Sequence, residues 1–121
     1  MTIFLIEDDP VYSEFIAVAL SQNPEHKVIP FFTAEDALKA CEGKIPDVMI
    51  VDYKLPDMSG IEFFEKIKSR ITPTNKVIMA SALDDGNMVL SFIQKGVRDY
   101  VIKDRDVVTS IQAIIAGEDD Y

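Results

Sequence analysis

Asp52 closes the apolar run Val48-Met49-Ile50-Val51 and is followed by the loop Tyr53-Lys54-Leu55-Pro56-Asp57-Met58-Ser59-Gly60. A strand apolar at every position is covered on both faces, as in a parallel sheet, and such sheets place their chemistry just beyond the carboxyl ends of their strands. Three other short apolar runs end in residues of complementary chemistry. Ile3–Ile6 runs into Glu7 and Asp8, Lys76–Met79 leads through Ala80 to Ser81, and Tyr100–Ile102 ends at Lys103. In a sheet that gathers these ends, three carboxylates converge, and unpaired like charges at close range are strongly unfavourable. A divalent cation resolves the conflict. An all-oxygen, carboxylate-rich donor set without nitrogen or sulfur suits Mg2+. The Ser81 hydroxyl and Lys103 ammonium opposite it are the donors expected around a phosphoryl group. Asp52 in that setting can attack phosphorus and form an aspartyl-phosphate, with catalysis supplied by positioning and electrostatics.

The elements that must position these residues are legible from periodicity and punctuation. Asp9 and Pro10 suit the N-cap and first position of a helix whose core stripe is read as Val11, Phe15, Val18 and Ala19, ending at Ser21-Gln22-Asn23-Pro24. His26 to Phe31 reads as a second strand, placed at a sheet edge because Pro30 cannot donate to a ladder. Thr33 caps a second helix that runs to about Glu42, with Gly43 as its stop signal. Ser59 and Glu62 form a capping box for a third helix with Ile61, Phe64, Ile67 and Ile71 toward the core. A fourth helix starts at Asp84 or Asp85 and carries Met88, Val89, Phe92 and Ile93; a fifth carries Val107, Val108, Ile111, Ile114 and Ile115. Five strands alternating with five helices predict an α/β domain, a three-layer doubly wound (βα)5 fold with right-handed crossovers. An edge position for the second strand selects a five-stranded parallel sheet of order 2-1-3-4-5, in which the first and third strands meet across the switch point.

The 121 residues suit one domain, 1–121, with 117–121 as a tail or linker. A net charge of −9 disfavours direct contact with nucleic acid, which needs a basic patch. One cysteine, Cys41, permits no intrachain disulfide, and no apolar run approaches membrane-spanning length. The expectation is a cytoplasmic protein without a membrane segment. Taken singly, Glu7-Asp8-Asp9 reads as a helix-capping cluster, Ser81 and Lys103 as solvated residues, and His26 as solvated. Their joint placement at strand ends is what favours a site.

Glu7-Asp8, Asp52 with Leu55-Pro56-x-Met58-x-Gly60, Ser81-Ala82 and Lys103 resemble the response-regulator receiver domain of two-component signalling, over essentially the whole chain. The resemblance implies that Asp52 accepts a phosphoryl group from a sensor histidine kinase or histidine phosphotransfer protein. It implies direct Mg2+ ligation by Asp8, Asp52 and the Lys54 backbone carbonyl, with Glu7 acting through water. It implies phosphoryl contacts from Ser81 and Lys103, and a switch role for Ser81 with Tyr100. The output is then a surface change on the fourth helix, fifth strand and fifth helix, including Met88, Gln94, Lys95 and Asp106, read by a downstream protein or a fused output domain. Lys54 and Leu83 occupy positions that flank the approach of water to the phosphoryl group. A homodimer through the fourth and fifth helices stays open. One departure stands out: Asp104 follows Lys103 where the family usually has proline, often after a cis bond, so the aim of Lys103 needs the structure. Two readings compete with the switch: a constitutive protein-interaction module with an idle site, and a metal-dependent phosphohydrolase. The second wants an aspartate two residues after the nucleophile, where Lys54 stands. Self-phosphorylation from a phosphodonor and slow self-dephosphorylation do not make the chain an enzyme.

Overall fold

The computed structural model describes residues 1–82 and 86–117. Strands β1 (Thr2–Ile6), β2 (Lys27–Phe31), β3 (Val48–Asp52), β4 (Lys76–Ser81) and β5 (Asp99–Ile102) alternate with helices α1 (Pro10–Leu20), α2 (Ala34–Gly43), α3 (Gly60–Ile67), α4 (Gly86–Lys95) and α5 (Val107–Ala116). A short 3-10 turn, Lys68–Arg70, extends α3. All pairings are parallel, in the order β2-β1-β3-β4-β5. This is the doubly wound sheet expected from the strand pattern, with Pro30 on its edge strand. No helix among the described residues is long and apolar enough to cross a membrane. The expected helix start at Asp84 or Asp85, Leu83, and the tail beyond Gly117 lie outside the described residues.

Side chains alternate across the sheet, so each strand feeds two cores. Phe4, Ile6, Met49, Val51, Val77 and Met79 pack with Phe63, Phe64, Ile67 and Phe92 of α3 and α4. Ile3, Leu5, Val48, Ile50, Ile78, Ala80 and Val101 pack with Ile16, Leu20, Val107, Ile111 and Ile114 of α1 and α5. The same alternation carries on past the apolar residues. Glu7 follows Ile3 and Leu5, Asp52 follows Val48 and Ile50, and Lys103 follows Val101, all toward the α1/α5 layer. Ser81 and Tyr100 follow the opposite parity, since Tyr100 is registered beside Met79, toward the α3/α4 layer.

Three of the helix starts behave as their sequences predict. Asp9 accepts from the Val11 and Tyr12 amides with Pro10 at the first helical position, Thr33 accepts from Asp36, and Ser59 accepts from Glu62. Gly117 closes α5 at φ 76°, where a side chain would be strained. Gly43, by contrast, is the last residue of α2 rather than a left-handed stop.

The α1 stripe is the chief correction. Val11, Phe15 and Val18 are 77%, 53% and 55% exposed, and the buried residues are Ser13, Ile16 and Leu20. Both sets satisfy a helical period, because α1 is apolar nearly all round. Which stripe turns inward is set by how the helix packs on the sheet and against α5. Ile93, expected toward the core, is 58% exposed, and Phe92 alone anchors α4 as a buried residue. His26 is half-buried, its Nδ1 shielded from solvent, instead of lying in water.

Candidate phosphoryl and metal site

Glu7, Asp8 and Asp52 each bring a carboxylate oxygen to within 4.8 Å of the others. Glu7 and Asp52 are buried, while Asp8 is exposed at the rim. The adjacency of β1 and β3 at the switch point makes this meeting possible, with Ile6 registered beside Val51. The donor set is all carboxylate oxygen, with one open side, and so fits a hard divalent cation that keeps part of its water shell.

Lys103 supplies the opposing charge. Its Nζ lies 3.0 Å from Asp52 Oδ1 and in still closer contact with Glu7 Oε1. Every peptide bond among the described residues is trans, the Lys103–Asp104 bond included. The junction is held by backbone bonds from Lys103 N–H to Ser81 O and from Asp104 N–H to Ile102 O, both 2.8 Å. Asp104 does not cap α5; its carboxylate accepts from Asp106 N–H at 2.9 Å and closes the turn before the helix. The replacement of proline therefore leaves the lysine aimed at Asp52.

Burial pushes the carboxyls of Glu7 and Asp52 above the ordinary carboxylate range, although hydrogen bonds from Lys103 pull both back. Burial alone would lower the Lys103 ammonium, but its bonds to Glu7 and Asp52 raise it, so it stays charged. The backbone of Lys54 also lowers the Asp52 carboxyl, to a smaller extent. Ser81 is buried, and its hydroxyl contacts Met88 Sδ at 3.2 Å. Tyr100 is 41% exposed on β5.

The loop after Asp52 is pinned from two sides. Gly60 N–H donates to Tyr53 O at 2.7 Å, and a Cβ on Gly60 would lie 2.6 Å from Asp52 O and 2.7 Å from Met79 Sδ. Glycine is needed here for close approach, since its φ is not in the left-handed region. Asp57 reaches back to the N-terminus of α2, accepting from Ala34 N–H at 3.0 Å and Glu35 N–H at 2.8 Å. The capping role of Asp57 could not be read from the sequence, because its partners lie more than twenty positions away. Tyr12, whose ring centroid is 4.8 Å from Lys103 Nζ, was likewise missed, because the opposite stripe of α1 was read as the buried one.

Residues 3–115 match the profile described as "Response regulator receiver domain". The chemotaxis protein CheY of Listeria monocytogenes is 30% identical over 102 residues, covering 82% of this chain and 83% of that protein. The probable transcriptional regulatory protein NarL of Mycobacterium tuberculosis is 29% identical over 112 residues, covering 90% of this chain but 50% of that protein, so the chain spans half the length of that relative. The solved structure of that NarL's signal receiver domain superposes with a TM-score of 0.83 at 24% identity, covering 99% of this chain and 97% of that one, which shows the shared fold. With its strand order, its acidic cluster at the switch point and this match along nearly its whole length, the chain belongs to the response regulator receiver domain family.

Proposed function

We propose that the chain, as a single receiver domain, is a phosphorylatable switch in which Asp52 accepts a phosphoryl group. The observation that carries this reading is the single cluster of Glu7, Asp8 and Asp52 with Lys103 Nζ 3.0 Å from Asp52 Oδ1. An oxygen of Asp52 attacks phosphorus, the bond from phosphorus to the donor's leaving atom breaks with its electron pair, and an acyl phosphate remains on Asp52. Asp8, Asp52 and the Lys54 carbonyl would hold Mg2+, with Glu7 acting through water; the cation would supply charge neutralisation at the phosphoryl oxygens. Lys103 and the Ser81 hydroxyl bind the remaining oxygens. For the hydroxyl this means leaving Met88 on α4, which ties phosphorylation to that helix and, on the same sheet face, to Tyr100.

The donor in this reading is a sensor histidine kinase or histidine phosphotransfer protein in the cytoplasm. Val11, Phe15 and Val18 give it an apolar landing face on the helix that begins beside the site. The receiving partner, a separate protein or an output domain following the tail, reads α4, β5 and α5. Receiver domains are signalling switches and not enzymes in the usual sense, and Lys54 stands two residues after Asp52, where a phosphohydrolase of this kind wants its second aspartate.

The test is incubation with Mg2+ and a small phosphodonor, followed by intact mass. One phosphoryl group on the wild type and none on Asp52→Asn is the expected result. Unlabelled wild-type protein that also ignores beryllofluoride would overturn the reading in favour of a constitutive interaction module.

A further inference from the structure

The ring of Tyr12 lies under the Lys103 ammonium, and nothing in the phosphoryl site as read above employs it. Tyr12 stands in the first turn of α1, packed against the core layer of Val107, Ile111 and Ile114. Strand parity sends Glu7, Asp52 and Lys103 toward that same layer. The Lys103 ammonium is consequently enclosed by two carboxylates and one aromatic face, with Nζ 4.8 Å from the ring centroid, within the range of a cation–π contact.

These three neighbours differ in one respect. Glu7 and Asp52 are both wanted elsewhere once a cation or a phosphoryl group arrives, because their oxygens are the donor atoms of the site. The ring face has no competing ligand. Lysine is a point charge on a flexible four-carbon stem, so an ammonium losing its carboxylate partners would otherwise be free to swing away. The phenol oxygen is buried and has no hydrogen-bond partner among the described residues, so packing holds the ring in place and its hydroxyl does not. Asp9, which caps the helix through the Val11 and Tyr12 amides, sets the register that presents the ring.

We propose that Tyr12 is a positioning residue that acts through Lys103: its ring keeps the ammonium over the site while Glu7 and Asp52 change partners. The proposal rests on Asp52 being the phosphoacceptor. Beryllofluoride affinity at saturating Mg2+, and Mg2+ affinity alone, are measured by calorimetry for the wild type, Tyr12→Leu, Tyr12→Phe, Lys103→Met and the Tyr12→Leu/Lys103→Met double variant. Tyr12→Leu is expected to weaken beryllofluoride binding about three- to tenfold, the range of a partly desolvated cation–π contact, with Mg2+ affinity unchanged. Tyr12→Phe, which keeps the ring face, restores the affinity, and in the Lys103→Met background Tyr12→Leu has no further effect. The Lys103 ε-methylene protons should show an upfield ring-current shift that disappears in Tyr12→Leu but persists in Tyr12→Phe. Wild-type affinity in Tyr12→Leu, or a loss of the same size with and without Lys103, overturns the positioning role alone. A wild type that binds no beryllofluoride overturns the phosphoacceptor reading together with it.

Discussion

Glu7, Asp8 and Asp52 cluster beside one ammonium, which contacts Glu7 and Asp52, so the metal-free site carries an excess of negative charge that burial makes costly. The folded-state carboxyls of Glu7 and Asp52 titrate above their ordinary values. A raised folded pKa contributes stability that is complete below the unfolded value and is lost as pH rises through the folded one. Urea midpoints in chelator should therefore fall as pH climbs from about 4 through the raised range. Saturating Mg2+ should remove that fall, and Asp52→Asn should flatten it, raising the urea midpoint of the metal-free protein near neutrality. A midpoint in chelator that stays flat or rises over that range would show that Lys103 already balances the cluster. Tyr12→Phe makes a separate prediction about its buried hydroxyl. Deleting a hydroxyl that no group among the described residues satisfies should leave the fold as stable as before, or more stable by up to about 1 kcal/mol, as read by thermal unfolding.

The β3–α3 connection holds Asp52 in place through close approach at one end and a remote cap at the other. Gly60→Ala sets a Cβ 2.6 Å from the Asp52 carbonyl oxygen, a backbone atom that cannot step aside as a side chain could. The expected cost is about 1–3 kcal/mol, together with slower phosphorylation because the carbonyl displaced belongs to the acceptor residue. A variant with native stability and native labelling would mean that α3 can shift without disturbing Asp52. Asp57→Ala removes two hydrogen bonds from the first turn of α2, at a cost of about 1 kcal/mol, and the amides of Ala34 and Glu35 should lose protection in hydrogen exchange. These backbone bonds also hold the Asp57 carboxyl below its ordinary range despite some desolvation. A depressed folded pKa gives stability that is present above the unfolded value and lost as pH falls through the folded one. The Asp57 contribution therefore weakens only in strong acid, opposite in sign to that of Glu7 and Asp52.

Across the whole molecule the site opens at one end of the sheet, and two surfaces flank it on different layers. The exposed face of α1 belongs to the side that carries Glu7, Asp52 and Lys103, whereas Ser81 and Tyr100 belong to the other. In the proposed switch the donor would meet α1, while Ser81 and Tyr100 would carry the change to α4 and β5 on the opposite face, with α5 sharing the layer of α1. Phe15→Asp should slow transfer from a protein donor by about tenfold or more and affect labelling by a small phosphodonor far less, because Phe15 is 53% exposed and its ring stands 6.1 Å from that of Tyr12 rather than in the core. Equal loss with both donors would show that the substitution has distorted α1, which circular dichroism would also reveal.

Most of the fold was legible because its signals are local. Fully apolar strands, Asp9-Pro10, Thr33, the Ser59–Glu62 pair and Pro30 each report their place through neighbours a few residues away. The candidate site residues were legible for a related reason: a strand's end is fixed by its sequence, so Glu7, Asp8, Asp52, Ser81 and Lys103 could be located before their distances were known. What the sequence left open was orientation. The α1 helix has two apolar stripes of equal period, and only its docking on the sheet turns Ile16 and Leu20 inward, leaves Phe15 in solvent and carries Tyr12 beneath Lys103. The Asp57 cap on α2 and the aim of Lys103 past Asp104 were equally hidden, since each is a contact between segments far apart in the chain. Periodicity determines which residues share a face; packing against the rest of the protein decides which way that face looks.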